Sequence, residues 1–428
     1  MTNKRIFILT NFSGFLKSYS PIIVVGEQIR MLKRGGYDPV LITSKGWNPP
    51  EGTIFSEVKT ERVEQVSVSN EAKVDATFEP DVEKLYEDFK RIIPTGSTVI
   101  THDLIFLPDY VKHNVACRKL AKEDKTINWI HWIHSATSPR SLIQERNMYG
   151  DKYVELLASK FPNSIVAFPN SYDIPRVAKN FNYELDEVVE VPHATNPVEG
   201  MNAIVQRLYD AHKLWEPEMI MVYPLRLDRG KNAEMNVRIL AGARRSGILM
   251  KLIFCDFQST GDDKVVYRED LKKLAKELGV EDEVVFLSEF DEAARMEVSH
   301  EVVLDLFTLS NVFCLPSKSE TYSLVAQEAM LKGNICVLNH DFAPMQSIYG
   351  KIPIYRQFSS NIGFDGQDGE ITTTYGDTDA YMADIAKALI YFVRNERGIA
   401  GKTWVRTQRN HDYIFKRYLE PLLHRELS

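Results

Sequence analysis

Two glutamates stand eight positions apart in the stretch SKSETYSLVAQEAMLKG, residues 317–333. Glu320 falls in a predicted loop, and Glu328 falls in a helix predicted over residues 324–331, where mostly apolar residues surround it. Since a helix advances about 1.5 Å per residue, the two carboxylates could bracket a ligand of nucleotide-sugar length. Sugar hydroxyls donate the hydrogen bonds that carboxylates accept. Taken alone, however, such a pair is more often two solvated surface charges.

Basic residues occupy another predicted loop, in YPLRLDRGKN at residues 223–232. Arg226 and Lys231 follow a predicted strand, and the glycine between them allows both side chains to converge on one anion. The planar guanidinium and the compact ammonium together suit a diphosphate. The helix predicted to begin at residue 323 or 324 adds free backbone N–H groups, which also attract phosphate. On its own, this loop is more often a solvated charged turn.

A third candidate group lies in NWIHWIHSA, residues 128–136. His131 and His134 are three positions apart, so on a strand their side chains point to opposite faces. His134 is nearer the carboxyl end and is followed by small residues, which favours it as an active-site residue. We predict that His131 is an ordinary core histidine.

Alternating strands and helices must position these groups. The chain opens with a strand, a loop, a helix that ends at Gly35-Gly36 and a second strand, which together form a βαβ unit and imply a parallel sheet. Residues 51–88 are predicted to be irregular, and four more buried strands are predicted within residues 97–107, 127–136, 164–171 and 188–197. Ligands of such sheets bind at the carboxyl ends of the strands.

The second half of the chain repeats this plan. A connecting helix is predicted at residues 199–216, and a complete second α/β domain follows it. A long helical pattern is predicted at residues 402–423. The two candidate loops with Lys231 and Glu320 both follow predicted strands of this second domain.

Composition limits the classes of function. A chain of 428 residues with 44% hydrophobic and 26% charged residues is expected to form two globular domains, or three. The formal net charge of −7 argues against a surface that grips nucleic acid throughout. The four cysteines are widely separated, so we expect buried thiols in a reducing compartment and no zinc site. The first residues are predicted to form a strand rather than a signal peptide, and no apolar run reaches the length of about 18–20 residues that crosses a bilayer. We therefore expect a cytoplasmic protein without a transmembrane segment.

The two loops together resemble those of retaining GT-B glycosyltransferases of family 4. YPLRLDRGKN is similar to the family's GR…K phosphate loop, and PSKSETYSLVAQEAMLKGNICVLNH, residues 316–340, is similar to its E-x7-E segment. The order of elements matches over nearly the whole chain. The resemblance implies an α/β protein of the GT-B fold, in which two doubly wound Rossmann-like domains face a central cleft. Residues 1–198 would bind the acceptor and residues 199–403 the donor, with a C-terminal helix at 404–428 crossing back to the first domain.

The resemblance also implies roles for individual residues of the second domain. Arg226 and Lys231 match the pair that holds the donor's phosphates. Glu328 matches the glutamate that accepts hydrogen bonds from the nucleotide ribose, and Glu320 the one that contacts the transferred sugar near its reacting carbon. Backbone N–H groups that meet sugar and phosphate are expected at four positions: Thr321, Tyr322, Ser323 and Leu324.

In the first domain, His134 matches a histidine that lies by the sugar, and Gly14 matches a glycine that lets the backbone approach the donor phosphates. The sequence departs from the family pattern at several positions. Thr321 and Ser323 replace glycines of the donor loop, and Leu225 replaces the glycine before Arg226. Two further glycines common at strand ends are replaced by Cys255 and Ser288.

The function implied is transfer of a sugar, with retention, from a UDP- or GDP-sugar to an acceptor hydroxyl. A front-face displacement needs neither a carboxylate nucleophile nor a metal or other cofactor. The acceptor is expected near His102, Asp103, Trp132 and Arg140, and is a saccharide, a lipid head group or, alternatively, a hydroxymethylated DNA base. Two other functions stay open, a non-catalytic nucleotide-sugar-binding protein and a GT-B phosphorylase or epimerase.

Overall fold

The computed structural model describes residues 4–16, 18–63, 74–146, 150–224, 226–256, 262–318, 320–358 and 378–427. The chain divides into two compact units, one comprising Met1–Asn196 with Arg409–Ser428 and the other Pro197–Gln408. This boundary lies two residues before the one predicted at 198/199, and the returning segment begins at Arg409 rather than at residue 404. Each unit is described below by itself.

The first unit holds a seven-stranded sheet in which every recorded pair of strands is parallel. Its strands are β1 Arg5–Leu9, β2 Asp38–Ser44, β3 Lys59–Val63, β4 Thr98–His102, β5 Asn128–Trp132, β6 Ser164–Phe168 and β7 Val188–Glu190. Its first helices are α1 Ser20–Arg34, α2 Phe78–Ile92, α3 Val111–Glu123, α4 Pro139–Arg146, α5 Asp151–Leu157 and α6 Ile174–Phe181. The order β3-β2-β1-β4-β5-β6-β7 reverses direction between β1 and β4, the place where Rossmann-like sheets bind ligands.

The second unit holds a six-stranded sheet of order β10-β9-β8-β11-β12-β13. Its strands are β8 Met219–Tyr223, β9 Met250–Phe254, β10 Val284–Phe286, β11 Val312–Leu315, β12 Ile335–Asn339 and β13 Ile354–Arg356. Its helices are α7 Ala203–Ala211, α8 Glu234–Arg245, α9 Asp262–Glu277, α10 Leu287–Phe290, α11 His300–Leu309, α12 Leu324–Leu331, α13 Ala343–Tyr349, α14 Thr378–Asn395 and α15 Arg397–Gln408. Strands β8 and β11 are neighbours, so the loops that follow them meet at one edge.

Hydrophobic cores cover both faces of each sheet, because the strands are apolar on both sides, as parallel strands usually are. The prediction of two Rossmann-like α/β domains, the components of the GT-B fold, is therefore confirmed. All four cysteines are free and buried, as predicted. Among the described residues, no helix is long and apolar enough to cross a membrane.

The helical pattern predicted at residues 402–423 is two helices rather than one. The first, α15, ends at Gln408, and Asn410 has an extended backbone and caps the next helix through its side chain, which accepts from the N–H of Tyr413. Helices α16 His411–Ile414 and α17 Glu420–Leu423 are joined by a π-helical turn at Phe415–Leu419. This terminal segment packs on the first unit, where Phe415 lies against Gly35 so closely that a Cβ there would overlap its ring.

The prediction that residues 51–88 are irregular is wrong. They contain the edge strand β3 and the first part of α2, whose buried residues Phe78, Val82, Leu85 and Phe89 follow a helical period. The strand predicted at residues 97–107 is also too long, since β4 ends at His102 and Asp103 adopts a left-handed conformation with φ 56°. That turn brings the end of β4 to the candidate residues of the first unit.

Candidate active site

The loop after β8 carries Lys231 in a short 3₁₀ turn, Arg229–Lys231. The hydroxyl of the buried Tyr223 donates to the backbone carbonyl of Lys231 at 3.1 Å. Asn232 follows in the left-handed region with φ 59°, and its side-chain amide donates to the carbonyls of Pro316 and Phe358, each at 3.2 Å. Hydrogen bonds at Lys231 and at the next residue therefore fix the backbone, independently of the contacts that the Lys231 side chain makes.

A second loop, after β11, approaches this one directly. The backbone N–H of Lys318 donates to the carbonyl of Gly230 at 2.9 Å. Below it, the amide of Asn339, at the end of β12, donates to the carbonyl of Ser317 at 3.0 Å. Two backbone loops and the end of a third strand thus form one rigid edge.

At this edge the Lys231 ammonium forms an ion pair with the Glu320 carboxylate. The two side chains are only 21% and 14% exposed, so the pair is shielded more than an ordinary surface pair. The structure therefore brings together two residues, 89 positions apart, that the sequence predicts in one site. A cation and an anion side by side can contact a phosphate and a sugar hydroxyl of one ligand.

Arg226 lies on the same loop but is directed differently. Its guanidinium is about half exposed and its Nε lies 3.7 Å from the carboxylate of Asp228. The two side chains that are predicted to bind phosphate therefore have different partners. Lys231 pairs with Glu320, and Arg226 lies beside Asp228. Leu225, which precedes Arg226, lies outside the described residues.

The loop after β11 leads into α12 through Ser323, whose backbone is strained. Ser323 has φ 63° and ψ 75°, a left-handed conformation that glycine adopts at lower cost. The hydroxyl of Tyr349 lies 2.7 Å from the carbonyl of Ser323 and 3.0 Å from that of Tyr322, and burial raises the pKa of Tyr349 to about 12, so it stays a donor. Thr321, Tyr322 and Leu324 are exposed around this turn. Helix α12 begins at Leu324, as predicted.

Replacing Ser323 with glycine should stabilise the protein by about 1 kcal/mol, because glycine removes the left-handed strain. Ser323 Oγ is also buried, with no hydrogen-bond partner among the residues that the structure describes. Ser323→Ala is the matched control, since it removes the hydroxyl and keeps the Cβ that causes the strain. Urea unfolding of the three proteins checks this prediction, and equal stability of the glycine and alanine variants would contradict it.

Glu328 lies one turn into α12, between the buried Ala326 and Ala329. Its side chain is 27% exposed, and its Oε1 lies 2.9 Å from Nε2 of His300, the first residue of α11. The carboxylate is thus neither in the core nor free in water. His300 was not predicted from the sequence, because it precedes Glu328 by 28 positions on a separate helix.

The first unit gathers histidines where β4, β5 and β7 end. Nε2 of His134 lies 3.2 Å from Nδ1 of His102, and the two rings are nearly parallel, with centroids 5.4 Å apart. The centroid of the His193 ring lies 5.9 Å from that of His134. The backbone N–H of His134 donates to Asp103 at 3.0 Å, and burial raises the pKa of that carboxyl to about 6. His134 is therefore part of a cluster.

Other predicted residues of the first unit are placed as follows. Trp132 is fully buried beneath this cluster, stacked on His193. Arg140 is half exposed and paired with Glu155. Gly14 has open space around its Cα, since a Cβ there would meet no atom within 4 Å, so the described contacts do not explain the glycine. His131 is buried and bonded to Thr101, as predicted.

A buried polar network was missed at the ends of β9 and β10. Asp256 accepts from the Ser288 hydroxyl at 2.5 Å and from the Ser288 N–H at 3.1 Å. Arg268 donates to the same hydroxyl at 3.1 Å. Ser288 thus has a structural role at a position where the family commonly has glycine.

In the part of the chain that the structure describes, no group of three or more His, Cys, Asp or Glu side chains is arranged to hold a metal ion.

Comparison with protein families gives a match within the second unit. Residues 206–348 match the family described as Glycosyl transferases group 1. The matched glycosyltransferase domain is about a third of the chain, and it contains Arg226, Lys231, Glu320 and Glu328. His134 and Gly14 lie outside it. A search of curated proteins found no match.

A search of solved structures found chains that match this one over nearly their whole length. A glycosyltransferase from Rickettsia africae is 12% identical, with 99% of both chains covered and a TM-score of 0.36. Sucrose-phosphate synthase from Thermosynechococcus elongatus is 18% identical, with 97% of both chains covered and a TM-score of 0.36. HepE from Anabaena, solved with UDP and glucose, is 13% identical, with 98% of this chain and 99% of that chain covered and a TM-score of 0.33.

Proposed function

We propose that this protein transfers a sugar, with retention, from a UDP- or GDP-sugar to an acceptor hydroxyl. The observation that carries the proposal is the Lys231–Glu320 pair, which lies at the carboxyl ends of β8 and β11 inside the matched glycosyltransferase domain. In open α/β sheets this edge is where ligands bind. A nucleotide sugar supplies both of the groups that this pair can contact, a phosphate and a sugar hydroxyl.

In this proposal Lys231 and the first turn of α12 stabilise the negative charge that grows on the departing diphosphate. Arg226 reaches the same phosphates from the exposed side of the loop, and the backbone N–H groups of residues 321–324 contact phosphate and sugar. Glu320 accepts a hydrogen bond from the transferred sugar, and Glu328 accepts from the ribose. The acceptor hydroxyl attacks from the face on which the diphosphate leaves, which gives retention without a carboxylate nucleophile or a metal.

The histidine cluster of the first unit is proposed to act on the acceptor side. His134 presents a half-buried imidazole at the ends of the parallel strands, and burial lowers its pKa to about 4, so it is neutral at pH 7. A neutral imidazole can accept a hydrogen bond from a hydroxyl. The acceptor class that follows is a hydroxyl compound, whether a saccharide, a lipid head group or a hydroxymethylated DNA base.

A thermal-shift panel of UDP-, GDP-, ADP- and CMP-sugars tests the proposed function. A donor present at one hundred times its Kd stabilises the native state by about 2.7 kcal/mol. For a unit of this size that corresponds to a rise in Tm of about 5–10 °C. Release of nucleoside diphosphate should then accompany the same donor, since water can replace the acceptor. Stabilisation without release would favour a non-catalytic binding protein, and no stabilisation by any donor would contradict the proposal.

A further inference from the structure

The ring nitrogens of His134 and His102 form a chain of contacts with a buried amide. His102 Nε2 lies 3.1 Å from Oε1 of Gln28, and His102 Nδ1 lies 3.2 Å from Nε2 of His134. Gln28 and His102 are 0% and 4% exposed, so the contact between them is shielded from solvent. The direction of each hydrogen bond in the chain then depends on which of these atoms carries a proton.

The chemistry of the first contact sets the direction of the chain. With the Gln28 amide oriented as in the structure, its oxygen faces His102 and only accepts, so the proton between them belongs to Nε2 of His102. Burial lowers the pKa of His102 well below its usual value, so its ring is neutral and carries a single proton. Nδ1 of His102 is consequently bare and can only accept.

The donor in the contact between His102 and His134 can then be assigned as well. Because Nδ1 of His102 accepts, Nε2 of His134 must donate to it, and the neutral His134 ring has no second proton. Contacts with the His102 and His193 rings, and the bond from the backbone N–H of His134 to Asp103, hold the ring in this position. The remaining nitrogen, Nδ1 of His134, is left with a lone pair.

We propose that Gln28 and His102 are positioning residues that hold His134 as the tautomer with a proton on Nε2 and an accepting Nδ1. His134 would thereby be set to accept a hydrogen bond from a substrate hydroxyl and unable to donate one. Only the identity of that hydroxyl rests on the proposed glycosyl transfer. The tautomer itself follows from the contacts of the first unit.

The test is ¹⁵N NMR of the full-length protein labelled at histidine, in which protonated and bare ring nitrogens resonate far apart. His134→Gln assigns the His134 signals among the ten histidines. We expect a bare Nδ1 and a protonated Nε2 on His134. Gln28→Met removes the accepting oxygen and should shift both the His102 and the His134 signals towards a mixture of tautomers. Release of nucleoside diphosphate should fall about five- to tenfold, the effect of one net hydrogen bond.

Thr101→Val is the matched control, because it removes a comparable buried bond to another histidine, between Thr101 Oγ1 and Nδ1 of His131 at 2.7 Å. It should move the His131 signals and leave those of His134 in place. A protonated Nδ1 on His134 in the unmodified protein would overturn the proposal, as would His134 signals that Gln28→Met leaves unchanged. If the tautomer is as proposed but no sugar donor turns over, the glycosyl-transfer function fails and the positioning role stands.

Discussion

Replacing Lys231 with alanine is expected to reduce turnover by about two to three orders of magnitude. In the proposed reaction its ammonium stabilises charge that appears on the diphosphate only as the bond to the sugar breaks. Removing one such preorganised group typically costs a factor of about 10²–10³. Hydrogen bonds from Tyr223 to the carbonyl of Lys231, and from Asn232 to that of Pro316, fix the backbone that carries this ammonium, so its position is set before the donor binds. Nucleoside-diphosphate release under saturating donor measures the effect.

A loss of stability must be separated from this loss of turnover. Lys231→Ala leaves the Glu320 carboxylate, which is 14% exposed, without the ion pair that it makes in the structure. That costs on the order of 1–3 kcal/mol of unfolding free energy. Lys231→Ala combined with Glu320→Ala removes both charges and should recover part of the stability without recovering turnover. If the double variant regained activity, or if turnover fell only in proportion to folded protein, the pair would be a structural salt bridge.

The pairing of Lys231 with Glu320 shows what the sequence could predict. Both residues follow apolar stretches of strand type, and parallel topology brings the ends of such strands to one edge. Strands β8 and β11 are adjacent, so the two loops meet. The sequence therefore predicted that these two residues lie close together, although the ion pair itself depends on neighbours that the sequence does not show, such as the contact of Lys318 with Gly230.

Other features depend on local conformation that residue types do not reveal. A serine is rarely left-handed, so nothing in ETYSL indicated φ 63° at Ser323, and the supporting Tyr349 lies 26 positions further along the chain. The strand predicted at residues 188–197 ends at Glu190, so His193 lies in the loop that follows it rather than within the strand. By contrast, α2 had a readable signal, since Phe78, Val82, Leu85 and Phe89 form a helical stripe. It was obscured by the acidic residues on the opposite face.

The second large effect is expected for Glu328→Ala on donor binding. The Glu328 carboxylate is proposed to accept hydrogen bonds from the ribose, and bonds to a charged acceptor contribute about 1.5–3 kcal/mol. The Kd of the donor should therefore rise about 10- to 150-fold. The fold should be retained, since Glu328 is partly exposed and its recorded partner is the exposed His300. Calorimetric titration with the donor identified by the thermal-shift panel measures the change.

Nucleotides that lack a ribose hydroxyl make the test specific for the proposed contact. The unmodified protein should bind the 2′- or 3′-deoxy nucleoside diphosphate more weakly than the ribonucleotide, and Glu328→Ala should bind the two equally, because the group that distinguishes them is gone. His300→Ala is the matched control, as it removes the contact at 2.9 Å but keeps the carboxylate. It should preserve discrimination between the two nucleotides. If Glu328→Ala still discriminated as strongly as the unmodified protein, Glu328 would serve only to pair with His300, and the ribose would have to be bound elsewhere on this edge of the sheet.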